Sequence, residues 1–577
     1  ARIYKELQAK IKLRSVYTHP TVAALSQAVA DAEQVRYQDI RPVPEKQHYP
    51  LSSAQRRLWI LDQFEDIRNT YNMPGAYVFE GEVNAEAFDK AFETLVRRHE
   101  SLRTTFIVVQ GEPRQKIHSF ESSGFRVLHL DLRHVPDNER EMQRIVSETA
   151  AVVFDLEKGP LVAVKLLRLS ESRYACLITL HHIISDAWSK QVLIKEIMTL
   201  YAAYSAGQVA ALPPLRIQYK DYAAWHNDQL VDGGLSRHRA YWLGKLDQYA
   251  VLELPADYPR PALKTYNGHG VDFVVDASWG GPLSKIGQAH GASLFVTLLA
   301  SVSILLGKYA GQEDMVLGTP VAGRDHPDLE DQIGFYVNSL PLRIQFAPDD
   351  SFVQVLEKVK DVTLEAYEHQ AYPFDRLVDD LDIDRERSRH PLFDVMVQLE
   401  NVNQEDRGGE MRGVTVGGLE IEMTSCKYDL VIDFSEAGGW ISGSIRYNTD
   451  LFTKGSMTRM GGHFTRLIQN IVTNPALPIG ELSMYDAEET GMHHLWQSAL
   501  RPDGRAIGYN AHFFESGGDE AKANSLCSAI NQRYGLKLTA GDIHLYPVFR
   551  RLLTHVQRCR AAQAQPAAPA GIASRRR

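Results

Sequence analysis

Three residues stand out for the chemistry they could do: His181, His182 and Asp186, in "ITLHHIISDAWSKQVL" (Ile178 to Leu193). An imidazole pair and a carboxylate at the end of an apolar strand are costly to desolvate unless they are paired or used. A neutral histidine exposed to a cleft can take or share a proton near pH 7. Asp186, at the start of a helix, is stabilised as an anion by the helix dipole; it could also orient the turn through an arginine and take no part in the chemistry. The spacing fits a satisfied structural histidine pair equally well. No G-x-S-x-G elbow, G-x-x-x-x-G-K-[ST] phosphate loop or H-E-x-x-H zinc site occurs. Covalent and metal routes therefore have no motif. What remains is acyl transfer by direct attack, with one histidine as base or positioner.

These residues need a strand, a turn and a helix to hold them. The strand "RYACLITL" (Arg173 to Leu180) ends just before His181, and Ser185 with Asp186 can cap a helix from about Ala187 to Tyr204. "LVAVKLLRL" (Leu161 to Leu169) precedes that strand, and Ser170, Glu171 and Ser172 join the two as a hairpin. Upstream, "NAEAFDKAFETLVRRHESL" (Asn84 to Leu102) has the period of an amphipathic helix. The second half repeats this style. A helix in "SLFVTLLASVSILLGKYA" leads to strands "DMVLGTPVAG" and "NSLPLRIQF", a helix around Val353 to His369, and strands near "FDVMVQLE" and "ISGSIRYN". The pattern predicts an α/β protein of two similar lobes, with the site between them.

Composition narrows the function classes. The 577 residues are 44% hydrophobic and 23% charged, and their net charge of −9 argues against a nucleic-acid binder. Cys176, Cys426, Cys527 and Cys559 show neither metal nor disulfide spacing, which suits a reducing cytoplasm. The longest apolar run, Leu294 to Leu306, is short of the roughly 20 residues that span a bilayer and reads as a buried helix. The N-terminus has no initiator Met and no signal-peptide core, as expected for a piece of a longer polypeptide.

One internal repeat joins the two ends. Arg2 to Leu25 aligns without a gap on Ala529 to Leu552, matching Ile3 with Ile530, Lys10 with Lys537, Pro20 with Pro547 and Leu25 with Leu552. Each copy reads as a helix, a short turn, an apolar β-branched position, a proline at a helix start and a last helix. Polar, proline-punctuated Glu33 to Pro50 reads as a linker, and the Ala/Pro-rich Ala561 to Arg577 as a disordered or extended tail.

"HHIISDAWS" resembles the HHxxxDG signature of condensation domains of nonribosomal peptide synthetases. Other stretches resemble further motifs of that family and follow in its order: "SSAQRRLWILDQ" (Ser52 to Gln63), "RRHESLRTTF" (Arg97 to Phe106), "YKDYAAW" (Tyr219 to Trp225), "IGFYVNSLPLR" (Ile333 to Arg343), "HQAYPFDRLV" (His369 to Val378) and "RERSRHPLFDVM" (Arg385 to Met396). The resemblance spans Tyr49 to Met484. It implies a V-shaped pair of chloramphenicol-acetyltransferase-like lobes, pierced by a tunnel that carrier-bound donor and acceptor thioesters enter from opposite faces. By position, it makes His182 the catalytic histidine, His181 its structural companion, and Asp186 a structural aspartate paired with Arg324 of "PVAGRDHP". Ala187, Trp188, Ser189, Asn338, Tyr372 and Arg389 become tunnel candidates, though packing or capping suits the last three as well. Arg57 and Arg103 read as scaffold.

The ends resemble carrier domains. "FFESGGDE" (Phe513 to Glu520) is similar to the FFxxGGxS of peptidyl carrier proteins, and the front repeat is similar to the last helices of another carrier. The expected order is a carrier remnant (1–32), a linker (33–48), the condensation lobes (49–220 and 221–485), an all-α carrier-like domain (486–560) and the tail (561–577). Two positions depart from the family: Ala187 replaces the signature glycine, and Glu520 replaces the serine that carries phosphopantetheine. The resemblance implies amide formation between carrier-bound acyl groups, with phosphopantetheine on partner carriers and none at Glu520. The implied partners are donor and acceptor carriers and neighbouring synthetase modules; metal, nucleic acid and membrane are not implied. Ester formation, or a non-catalytic module that docks carriers, are the alternatives.

Overall fold

A computed structural model of the chain describes residues 2–9, 11, 13–19, 21–32, 39–63, 70–383, 386–400, 413–421, 424–500 and 508–564. Residues 33–38 of the expected linker, Arg385 of one motif and residues 565–577 of the expected tail lie outside the described residues.

The expected α/β class is present, and the site begins in the first lobe. Its five-stranded sheet runs in spatial order Thr415–Gly418, Asn72–Glu80, Arg173–His181, Val162–Arg168 and Val127–Asp131. The expected hairpin pairs Val162–Arg168 with Arg173–His181, antiparallel. Nearly every residue of Arg173–His181 is buried, because helices cover one face and the core fills the other. Ala85–Arg98 is capped by Asn84 and buries Phe88, Phe92 and Leu95, spaced four and three residues apart on one face. It lies against Ala187–Ser205, where Phe88 meets Tyr201 edge-on at 6.5 Å.

The second lobe has a six-stranded sheet in the order Asn338–Gln345, Asp314–Val321, Val395–Glu400, Leu430–Ala437, Trp440–Asn448 and Gly268–Val275. The apolar run forms helix Leu294–Ala310, capped by Ser293 and stopped by Gly311 at φ 69°. It is buried on almost all sides, which explains an apolar pattern without a polar face. Among the described residues no single helix is long and apolar enough to cross a membrane.

Two segments of the second half belong to the first lobe. Between strands Asp314–Val321 and Asn338–Gln345 the chain crosses over and buries Leu329, Ile333, Phe335 and Tyr336 in the first lobe's core. Later, Thr415–Gly418 adds an antiparallel edge strand to Asn72–Glu80, with Val414 buried beside it. A lobe division at residue 220 does not anticipate either crossing, because neither segment carries a long periodic pattern of its own.

The ends show the repeat as structure. Helices Arg2–Leu7, Leu13–Thr18 and Val22–Ala30 correspond position for position to the end of Glu520–Tyr534, to Ala540–Leu545 and to the start of Phe549–Ala564. Where a short turn was expected, each copy has a short helix. The C-terminal helices share one continuous core with the second lobe. Tyr309 of the lobe packs at 4.8 Å against the tilted ring of Tyr509 and hydrogen-bonds His463, whose other nitrogen meets Glu489 at 2.9 Å. Arg550 reaches Asp257 at 3.1 Å.

Candidate functional site

The histidine pair leaves the strand in two directions. His181 ends the strand and is 1% exposed. Its Nδ1 accepts the Ile183 amide at 3.1 Å, so its proton sits on Nε2, which faces the Asp62 carboxylate at 3.9 Å. Burial, then the neighbouring His182 and Lys427, lower its pKa to about 3. This residue ties the turn together and has no opening to substrate.

His182 turns the other way. It opens a short 3₁₀ turn, His182–Ile184, and remains half-buried. Its backbone amide donates to the Tyr71 carbonyl at 2.8 Å, and its Nδ1 lies 2.8 Å from the Ser185 carbonyl. A carbonyl only accepts, so Nδ1 carries the proton and Nε2 is left as an acceptor. The ring packs edge-on to Phe335 of the crossover at 4.9 Å. Burial, with the charge of Lys427, lowers the His182 pKa to about 3 and keeps the imidazole neutral.

Asp186 is saturated by structural contacts. As N-cap of Ala187–Ser205, its Oδ1 accepts the Ser189 amide and hydroxyl, each at 2.7 Å. Its Oδ2 accepts the Tyr336 amide at 3.0 Å. Arg324 Nη2 completes the set at 3.1 Å, with both side chains almost fully buried. Arg324 also donates to Ser189 Oγ at 2.8 Å and to the carbonyls of Gln332 and Leu329, and it lies over the Tyr336 ring at 4.2 Å. No atom of Asp186 is left for proton transfer.

The other candidates divide. Ala187 and Trp188 are exposed at the helix start, and Trp188 donates to the Glu330 carbonyl at 2.8 Å. Ser189 is fully buried, drawn by the cap onto Asp186. Asn338 donates to the carbonyls of Gln370 and Tyr372 and accepts the Phe374 amide, which fixes that turn. Tyr372 is buried with its hydroxyl on Asp380. Arg389 is held by Asp394 at 2.9 Å and Glu253 at 2.6 Å. In these four, protein partners take polar side-chain atoms. Arg57 joins the lobes by meeting His390 Nε2 at 2.8 Å, and Arg103 donates to the His118 carbonyl.

Sequence reasoning missed a group on the far wall. Lys427, in the bend before Leu430–Ala437, puts its amine 4.7 Å from the centre of the Tyr71 ring, against the residue that holds the His182 amide. Tyr266 and Tyr428 flank Lys264 nearby. No motif marks Lys427. Its place depends on two lobes meeting, which local spacing cannot show.

In the carrier-like helices, Glu520 opens Glu520–Tyr534 behind the N-cap Asp519. Its carboxylate meets His544 at 2.9 Å, and His544 stacks on Phe514 at 4.6 Å. Phe513 is buried against Trp496 at 5.2 Å. A Cβ on Gly518 would come within 2.4 Å of the Phe513 ring, so the motif's second glycine is a steric need. Phosphopantetheine is attached through a hydroxyl, and Glu520 has none; this position does not fit the group.

The family model described as "Condensation domain" matches residues 45–492, and the one described as "Phosphopantetheine attachment site" matches residues 492–556. Tyrocidine synthase 3 of Brevibacillus parabrevis is 38% identical over 490 residues, covering 85% of this chain and 7% of that protein. Gramicidin S synthase 2 of Brevibacillus brevis is 37% identical, covering 85% of this chain and 11% of that protein. The chain thus spans only a small part of the curated relatives it matches. Among solved structures, the X-domain from teicoplanin biosynthesis superposes with a TM-score of 0.71 at 25% identity, covering 77% of this chain and all of that one. The four-domain nonribosomal peptide synthetase AB3403 gives 0.69 at 21% identity, covering 82% of this chain and 37% of that one. With a neutral histidine held open between two α/β lobes and a family model that accounts for most of its length, the chain belongs to the condensation-domain family of nonribosomal peptide synthetases.

Proposed function

We propose that the chain forms an amide (peptide) bond by attack of an acceptor amine on a donor acyl thioester presented by a carrier domain. The observation that carries this reading is the fixed tautomer of His182, with Nδ1–H on the Ser185 carbonyl and Nε2 a free acceptor. The amine nitrogen bonds to the thioester carbon and the C–S bond breaks. The nitrogen's surplus proton passes to Nε2 and on to the departing thiolate. With a pKa near 3, His182 is a weak base. It suits a proton that has become acidic in the tetrahedral adduct, and it orients the nucleophile beforehand.

Donor and acceptor carriers and neighbouring synthetase modules are the partners in this reading, and the phosphopantetheine belongs to those carriers. Residues 1–32 act as the closing helices of one carrier, 33–48 as a linker, 49–220 and 221–485 as the lobes, 486–560 as a carrier-like domain that stays unloaded, and 561–577 as a tail. The four cysteines are unpaired, in keeping with a cytoplasmic setting. The test is an intact-mass assay with a synthetic acyl thioester loaded on a donor carrier and a panel of amines and alcohols. Amide products are expected. Products with alcohols alone, or no product with any acceptor, would sink the reading.

A further inference from the structure

Cations line the approach to His182, and one of them, Lys427, has no carboxylate partner among the described residues. Lys427 is half-buried, yet among the described residues its amine has no carboxylate or carbonyl partner; its contact is the face of Tyr71. The groups around it are Tyr71 from the strand edge, His181 and His182 from the turn, Arg57 from helix Ser53–Asp62, Arg446 from strand Trp440–Asn448, and its neighbour Cys426. Arg446 is paired with Asp433 at 2.8 Å, and Arg57 is bound to neutral His390. None of these groups supplies a negative charge to Lys427.

We propose that the amine of Lys427, poised over Tyr71 beside His182, bars cationic acceptors from the reacting end of the cleft, so that the acceptor amine arrives as the free base. The inference rests on the amide-forming reading above. An ammonium has no lone pair and cannot attack, and His182 is too weak a base to deprotonate one. Like charges a few ångströms apart in a poorly solvated cleft repel far more than in water. The ammonium therefore leaves its proton with water outside. The neutral nitrogen then forms the C–N bond, and the proton it sheds travels by way of Nε2 to the thiolate as the C–S bond breaks. Burial and the two arginines bring the Lys427 pKa down to about 7. Below about pH 7 it is thus mostly charged, and there an α-amine, of pKa roughly 7.7–8.0, is mostly ammonium.

The test is calorimetric binding to the full chain and needs no turnover. Three pantetheine amides serve as probes: glycyl, its permanently cationic N,N,N-trimethyl form, and the neutral 3,3-dimethylbutanoyl compound of the same shape. For the wild type, the glycyl Kd should weaken about tenfold for each pH unit below about 7, where both the amine and Lys427 are charged. In that range the dimethylbutanoyl probe should bind and the trimethyl probe should not. Lys427→Met should flatten the pH dependence and admit the trimethyl probe, while Lys427→Arg should keep the wild-type pattern. The proposal is overturned if wild type binds the trimethyl probe as well as its neutral twin, if the neutral twin does not bind at all, or if Lys427→Met keeps the wild-type slope. Should Lys427→Met fail to fold, the wild-type comparison of the two isosteres decides alone. Loss of amide formation in the mass assay, with this binding pattern intact, would count against the proposed reaction and not against the gate.

Discussion

Arg324, on the crossover that leaves the second lobe, places its Nη2 3.1 Å from Oδ1 of Asp186 at the head of a first-lobe helix. This one carboxylate caps a helix, holds Ser189 and accepts the Tyr336 amide of the same crossover. It fastens the crossover to the turn that carries His182.

Removing that carboxylate should be felt first as instability. Asp186→Ala would leave a buried guanidinium without its counter-charge, a change that typically costs 3–5 kcal/mol. Urea unfolding should show a lowered midpoint. A variant that unfolds like its parent yet makes no product would move Asp186 into the reacting machinery.

His182→Ala should keep the fold, since the ring is half-buried and makes one side-chain hydrogen bond. Turnover should fall by about 10²–10⁴-fold, the usual contribution of a positioned base. Single-turnover mass spectrometry measures it, and parental rates would remove His182 from the mechanism.

The buried histidines also set a pH dependence of stability. His181 binds its proton near pH 3 when folded and near 6.5 when unfolded. Between those values the unfolded chain holds more protons, so stability is present above about 6.5 and drains away as pH falls. The slope from this residue is about 1.4 kcal/mol per pH unit. His181→Asn should flatten the fall of the urea midpoint between about pH 6 and 4.5. An unaltered slope would mean that His181 is protonated in the native protein.

Glu520 predicts a chemical blank. Incubation with a promiscuous phosphopantetheinyl transferase and coenzyme A should add no mass to this chain, whereas Glu520→Ser should gain one phosphopantetheine. The substitution removes only an exposed pair with His544 and leaves the Asp519 cap in place. A shift mapped to Ser516 or Ser525 in the unaltered chain would overturn the alignment of this motif.

Local pattern made much of this legible. The hairpin, the capped helix after Asp186 and the fully apolar Leu294–Ala310 all announce themselves in periodicity and caps. The end-to-end repeat did so as well, except for the short middle helix of each copy, which reads as a turn. The pairing of Asp186 with Arg324 was visible only through family resemblance, because 138 residues separate the two. Ser189 sits three residues after an N-cap aspartate, where a serine is drawn back into the cap. Lys427 gave no signal, since a lysine in a bend looks like any surface lysine until a tyrosine from the other lobe covers it.

The two crossings of the chain between lobes bear on how such proteins can be recombined. A lobe exchanged between relatives at a single junction near residue 220 would part Asn72–Glu80 from its edge strand Thr415–Gly418, and would part Asp186 from Arg324. Native strand pairing and the buried charge pair would then depend on foreign sequence. Transplants that carry residues 322–337 and 413–421 together with the first lobe keep each contact with its own partner. The inheritable unit is this interleaved set of segments, and a contiguous stretch of chain does not contain it.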